Sequence, residues 1–128
     1  MYVVDGKGKQ LFGEVVFSTG KRIFIQRSFH GKQMVIGTGK IKLELYDITS
    51  LKEKRSIVRS LMSRIGNKFN ISIAETNYND SHLWAEVGFA LVSNNSRVAN
   101  SKIDKVLNSI EEIDLAQIAD FQREIIHL

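Results

Sequence analysis

The spacing of the apolar residues changes at Ser50, and that change restricts the fold more than any single motif does. In "KIKLELYD", Ile41, Leu43 and Leu45 alternate with Lys40, Lys42, Glu44 and Tyr46, the two-residue repeat of a strand buried on one face. After Ser50 the apolar residues Leu51, Ile57, Val58, Leu61, Met62 and Ile65 recur at spacings of three and four. That is the stripe of a helix lying on a core. Ser50 and Glu53 stand at capping-box spacing, so the hydroxyl can accept from an early helical N–H while the carboxylate reaches back. The helix is expected to begin there and to stop at Gly66, a natural C-terminal residue.

The same alternation of periods then recurs. "KFNISIAET" supplies a second strand with Phe69, Ile71 and Ile73 in alternation, followed by the polar loop "NYNDSH". "LWAEVGFALVS" reads as a third strand, with Ala85, Val87, Phe89 and Leu91 as the core face by bulk. "NNS" offers caps for a second helix carrying Val98, Ile103, Val106, Leu107 and Ile110, and a last strand lies within "AQIADFQREIIHL". The order is β-α-β-β-α-β, which predicts an α+β, ferredoxin-like sandwich with two helices on one face of a four-stranded antiparallel sheet.

This pattern begins at Met34, so the chain divides into an N-terminal extension, residues 1–33, and a domain over residues 34–128. In "QLFGEVVFSTGKRIFIQRS" two β-rich runs flank "STGK", where Gly20 can take the positive φ of a tight turn. The extension is therefore expected to form a β-hairpin. An isolated hairpin is marginal in water, and the expectation is that the rest of the chain folds without it. Met34 is itself a candidate natural start.

Composition removes several classes of function. The chain has no cysteine, which excludes disulfides, thiolate catalysis and cysteine-based metal sites and suits a reducing cytoplasm. No apolar run reaches the roughly 18 residues of a membrane span and no secretory signal is evident, so a cytoplasmic protein without membrane partners is expected. The formal charge of +4 is unevenly placed. Residues 34–68 hold eight basic and three acidic side chains, and residues 69–128 hold four basic and nine acidic ones. Such a split either makes one face attractive to phosphates or lets the two segments compensate each other in the fold.

Several residues now carry a resemblance. "SLKEKRSIVRSLMSRIGNKFNISIAET", then "LWAEVGFALVSNN" and an acidic end leading to "FQREII", resemble the YlxP-like family of small bacterial proteins, known as a domain of unknown function. The likeness spans about residues 34–128, its most specific element being "SLKEKR" at the strand-to-helix junction. It implies a ferredoxin-like fold and a bacterial cytoplasmic setting. Because members are often encoded among translation and ribosome-maturation genes, it also implies a role near RNA or the ribosome. It implies no reaction, no catalytic residue and no cofactor.

The candidate nucleic-acid-binding residues are Lys52, Lys54, Arg55 and Arg59. At about 100° per residue, Lys52, Arg55 and Arg59 share one helical flank, and Lys54 points closer to the apolar stripe. Cations in the first turns oppose the helix dipole, a locally unfavourable choice that a phosphate partner would explain. The plainer readings are solvated surface charge or pairing with the acidic segment. "VGFALVS" partly matches the third-strand signature of an RNA-recognition motif. The fit fails at Val87, where a cation is wanted, and at Leu91, where a stacking aromatic is wanted. Glu75, Asp80, His82 and Glu86 form a conceivable acid-base cluster, without the spacing that would make a metal or catalytic site specific. "DGKGKQ" and "GTGK" lack the spacing of a phosphate loop.

Three readings follow. The first is a non-enzymatic protein that binds RNA or ribosomal particles through the basic first helix. The second is a protein-interaction module or homodimer using the exposed sheet face or edge strands. The third is a small enzyme or ligand-binding domain around Glu75, His82 and Glu86, which requires those side chains to converge. The first is the expectation carried forward, with no cofactor and no metal.

Overall fold

The computed structural model describes residues 34–128 throughout and, before them, the backbone of residues 3–4, 10–16 and 22–26. Two compact units divide the chain, Met1–Gln33 with Leu128, and Met34–His127. In the first, β1 (Val3–Val4), β2 (Gln10–Val16) and β3 (Arg22–Gln26) form an antiparallel sheet in the order β1-β2-β3. The β2–β3 ladder, from Val16 opposite Arg22 to Leu11 opposite Gln26, is the pairing of a hairpin; the turn assigned to Gly20 lies outside the described residues. The short strand β1 has too little alternation to be read from sequence.

The second unit contains β4 (Val35–Leu45), α1 (Leu51–Phe69), β5 (Ser72–Asn77), β6 (Trp84–Ser93), α2 (Ser96–Ile113) and β7 (Ala116–His127). The sheet order is β5-β6-β4-β7, with every pair antiparallel. This is the α+β, ferredoxin-like β-α-β-β-α-β arrangement. The long strand β4 lies at its centre, pairing with β6 from Val35↔Ser93 to Glu44↔Trp84 and with β7 from Val35↔His127 to Leu45↔Ala116. Strict alternation places Ile41, Leu43 and Leu45 in the core, where they meet Ala85, Val87, Phe89 and Leu91 of β6.

Both helices bring one stripe to that core. In α1 the buried positions are Lys54, Val58, Leu61 and Ile65, with Ile57 and Met62 packed at the margin. Its start follows the cap chemistry closely. Ser50 Oγ accepts from the Glu53 N–H at 3.1 Å, and Glu53 Oε2 accepts from the Thr49 N–H and hydroxyl at 3.3 and 3.1 Å, one residue further back than a simple capping box. The helix does not stop at Gly66. It continues to Phe69 and ends on Asn70 in the left-handed conformation, so Phe69 belongs to the helix and β5 starts only at Ser72.

In α2, Asn95 Oδ1 accepts from the Arg97 and Val98 N–H groups. The buried stripe is Ala99, Ile103, Val106 and Ile110. Val98 is 44% exposed, because it stands one residue, about 100°, out of phase with that stripe. Ile73 and Leu107 are half-buried against the core instead of fully inside it. At the far end of the sheet, the Tyr46 hydroxyl donates to Asp114 Oδ1 at 3.0 Å and ties the end of β4 to the C-cap of α2. That hydrogen bond, followed by desolvation and the carboxylate charge, raises the Tyr46 pKa.

Leu61 is buried between α1 and the sheet. Leu61→Ala is expected to lower unfolding free energy by about 2–5 kcal/mol in denaturant titration; a loss below about 0.5 kcal/mol, the range of surface substitutions, contradicts its placement. Residues 34–128 expressed alone are expected to unfold cooperatively, since the whole described core lies within them. A product with secondary structure but no cooperative transition makes the first unit an integral layer.

Candidate functional site

Burial of one α1 stripe dictates what the opposite stripe presents. With Lys54, Val58, Leu61 and Ile65 inward, positions about half a turn away face solvent: Lys52, Ser56, Arg59 and Ser63. Lys52, Arg55, Ser56, Arg59, Ser60 and Ser63 line a shallow open groove of about 500 Å³ on this face. Lys52, Arg55 and Arg59 are exposed, and among the described residues no carboxylate lies within ion-pair distance of them. Three of the four expected cations are thus brought together on one surface. The serines beside them follow from the same three-and-four arithmetic, although an uncharged hydroxyl gives no signal of its own in the sequence.

Lys54 does not join that surface. Its side chain has 0% exposure, and its ammonium donates to the Tyr78 carbonyl and lies 3.5 Å from Glu75 Oε1. Glu75 is itself 17% exposed, so the pair is partly open to water at the carboxylate end. Tyr78 has a positive φ of 61°, and this local reversal points its carbonyl back at the start of α1. Pairing with the acidic segment therefore accounts for Lys54, and the burial that makes the pair possible removes it from any phosphate-binding set in this conformation.

The acid-base cluster imagined around the β5–β6 loop does not converge. Glu75 stands opposite Val87 on the helix-covered side of the sheet. Glu86, next to it in β6, points to the open side, where it accepts from the Thr76 hydroxyl at 2.7 Å. His82 lines a separate depression with Glu44, Tyr46 and Asp47. Among the described residues no group of three potential metal ligands comes together.

The open sheet face is electrically mixed. Lys40, Lys42, Glu86, Asp120 and Gln122 border a depression of about 240 Å³ beside Tyr78. The Lys42 ammonium lies 4.2 Å from the Trp84 ring centroid and 5.2 Å from that of Tyr78, so the protein's own cation covers the aromatic surface. Phe89 is in the core. A platform of exposed rings for base stacking is not what this face offers.

A family model described as "Protein of unknown function (DUF503)" matches residues 36–123, from the start of β4 into β7. The protein named "Uncharacterized protein YlxP" from Bacillus subtilis (strain 168) is 35% identical over 77 residues, covering 60% of this chain and 84% of that protein. No helix among the described residues is long and apolar enough to cross a membrane.

The two kinds of lysine on α1 separate in a stability measurement. Lys54→Ala leaves the Tyr78 carbonyl and Glu75 without their donor, and is expected to cost about 1–3 kcal/mol in denaturant unfolding. Lys52→Ala at the exposed position should stay within about 0.5 kcal/mol of the parent. Equal small effects would show that the Lys54 bridge does not hold α1 to the β5–β6 loop.

Proposed function

Because this chain belongs to the DUF503 family, whose description assigns no activity, we propose its role from its own surface: it is a non-enzymatic binding protein that attaches to RNA or ribosomal particles through α1. The observation that carries this reading is the groove in which Lys52, Arg55 and Arg59 stand together and outward. The fold has a core-facing use for Lys54 and none of that kind for the other three. Lys52 and Arg55 sit in the first turns, where a cation opposes the helix dipole by about 0.3–1 kcal/mol. An anionic partner reverses that sign, because a bound phosphate neutralises the cations and is itself favoured at that end of a helix.

The chemistry is that of backbone recognition. Guanidinium groups meet phosphate oxygens in bidentate fashion, the lysine ammonium acts as a point charge, and release of condensed counterions drives the association. Binding of this kind is steep in salt and nearly indifferent to base sequence. No proton transfer or covalent step is called for. The resemblance to proteins encoded near translation genes agrees with an RNA partner.

The protein-interaction reading rests on a different feature, the exposed apolar side chains at one end of the open sheet face. There Ile36, Val92 and Ile126 occupy one row across β6, β4 and β7, with Val92 and Ile126 exposed.

The test is the triple variant Lys52→Gln/Arg55→Gln/Arg59→Gln, titrated with RNA and with ribosomal particles at several salt concentrations beside a thermal melt. Binding should weaken across sequences alike, and the slope of log K against log salt should fall by about one unit for each contact removed. Unchanged binding by a folded variant refutes the reading and favours the sheet-face interaction. A collapse of the melt would mean that these charges serve the fold.

A further inference from the structure

On α1 the cations and the hydroxyls are not intermixed at random. Lys52, Arg55 and Arg59 occupy one lane of the groove, and Ser56, Ser60 and Ser63 the lane beside it. Each lane repeats at three and four residues, so both run along the axis, the pairs Lys52–Ser56 and Arg59–Ser63 being i, i+4 neighbours. From Lys52 to Arg59 the helix rises about 10 Å, and from Ser56 to Ser63 about as much. Among the described residues, none of the six that line the groove is aromatic or acidic, and none carries an amide.

Resting on the nucleic-acid reading of this groove, we propose that its ligand class is double-helical RNA, with the cation lane on one phosphate backbone and the serine lane on the adjacent ribose 2′-hydroxyls. Two features of the lining and the shape of A-form RNA lead there. Single-strand binding without base readout depends on aromatic platforms, and among the described residues the groove is lined by none. A-form RNA presents phosphates and 2′-hydroxyls side by side along a wide, shallow minor groove that accepts a helix face. A serine hydroxyl can both donate to and accept from a 2′-hydroxyl, so a row of them distinguishes RNA from DNA while remaining indifferent to sequence. The cations alone would bind either duplex.

The experiment compares the full chain and the variant Ser56→Ala/Ser60→Ala/Ser63→Ala on three probes at one fixed salt concentration: an RNA duplex of about 16 base pairs, the DNA duplex of the same sequence, and one RNA strand alone. The parent should bind the RNA duplex tightest. A hydrogen bond to a hydroxyl contributes about fivefold in affinity, so the RNA-over-DNA preference should drop by at least that factor in the serine variant, with DNA binding unchanged. Alanine favours helix more than serine does, and a melt at or above the parent's confirms that α1 is intact. Equal affinity of the parent for RNA and DNA duplexes, tighter binding of the single strand, or a serine variant that keeps its full preference overturns the duplex assignment while leaving a phosphate-binding helix standing. No binding of any probe by the parent at low salt overturns both.

Discussion

Close packing at the centre of β4 is the constraint on which the rest of the domain depends. Gly39 faces the core between two rings, and a Cβ there would stand 2.5 Å from Phe89 and 3.1 Å from Phe121. Gly37 next to it leaves room for Leu91 and Ile103. The central strand thus supplies backbone, and its neighbours β6 and β7 supply the bulk that fills the space above it. Because β4 is paired on both sides, any change that lifts those rings disturbs two ladders at once. The helices settle on what remains: α2 brings Ala99 and Ile103 over the glycine end, and α1 brings Val58, Leu61 and Ile65 to the same core.

Period and cap chemistry made most of this legible in the residues themselves. Alternation in Ile41, Leu43 and Leu45 and in Ala85, Val87, Phe89 and Leu91 survives intact, since a one-residue slip would turn every apolar side chain of a strand to water. The errors fall at boundaries and at phase. Gly66 looks like a stop, but Asn70 can also take the left-handed conformation, and three more residues gain helical hydrogen bonds by postponing the end. Val98 and Leu107 fit a helical spacing, yet the α2 stripe is centred on Ala99, Ile103, Val106 and Ile110, so that Val98 and Leu107 fall to either side of it.

Lys54 shows a deeper limit. The wheel places it near the apolar stripe, but whether a lysine there is tolerated depends on a partner, and its partners lie 21 and 24 residues onward at Glu75 and Tyr78. Removing an ammonium from water is costly unless charge and hydrogen bonds replace the lost hydration. Here Glu75 brings the charge and a reversed backbone at Tyr78 brings the acceptor, two long-range facts that no local pattern contains. The "SLKEKR" segment is consequently two motifs interleaved: Lys54 joins α1 to the β5–β6 loop, and Lys52 and Arg55 look outward.

That interleaving lets one helix hold the fold and carry an outward basic face without strong conflict. The inward stripe contributes several kilocalories per mole through burial of Val58, Leu61 and Ile65, at about 1.5–3 kcal/mol for each large side chain. The Ser50 and Glu53 caps contribute about a further 1 kcal/mol at the end where the dipole is least tolerant of cations. Against this, two outward cations in the opening turns cost a few tenths to about 1 kcal/mol each, reduced by salt. The packing term exceeds the electrostatic one, so the helix keeps its position whatever the outer lane carries. The outer lane is therefore the part of α1 whose composition folding leaves open, whereas the buried lysine one residue away is fixed by its partners.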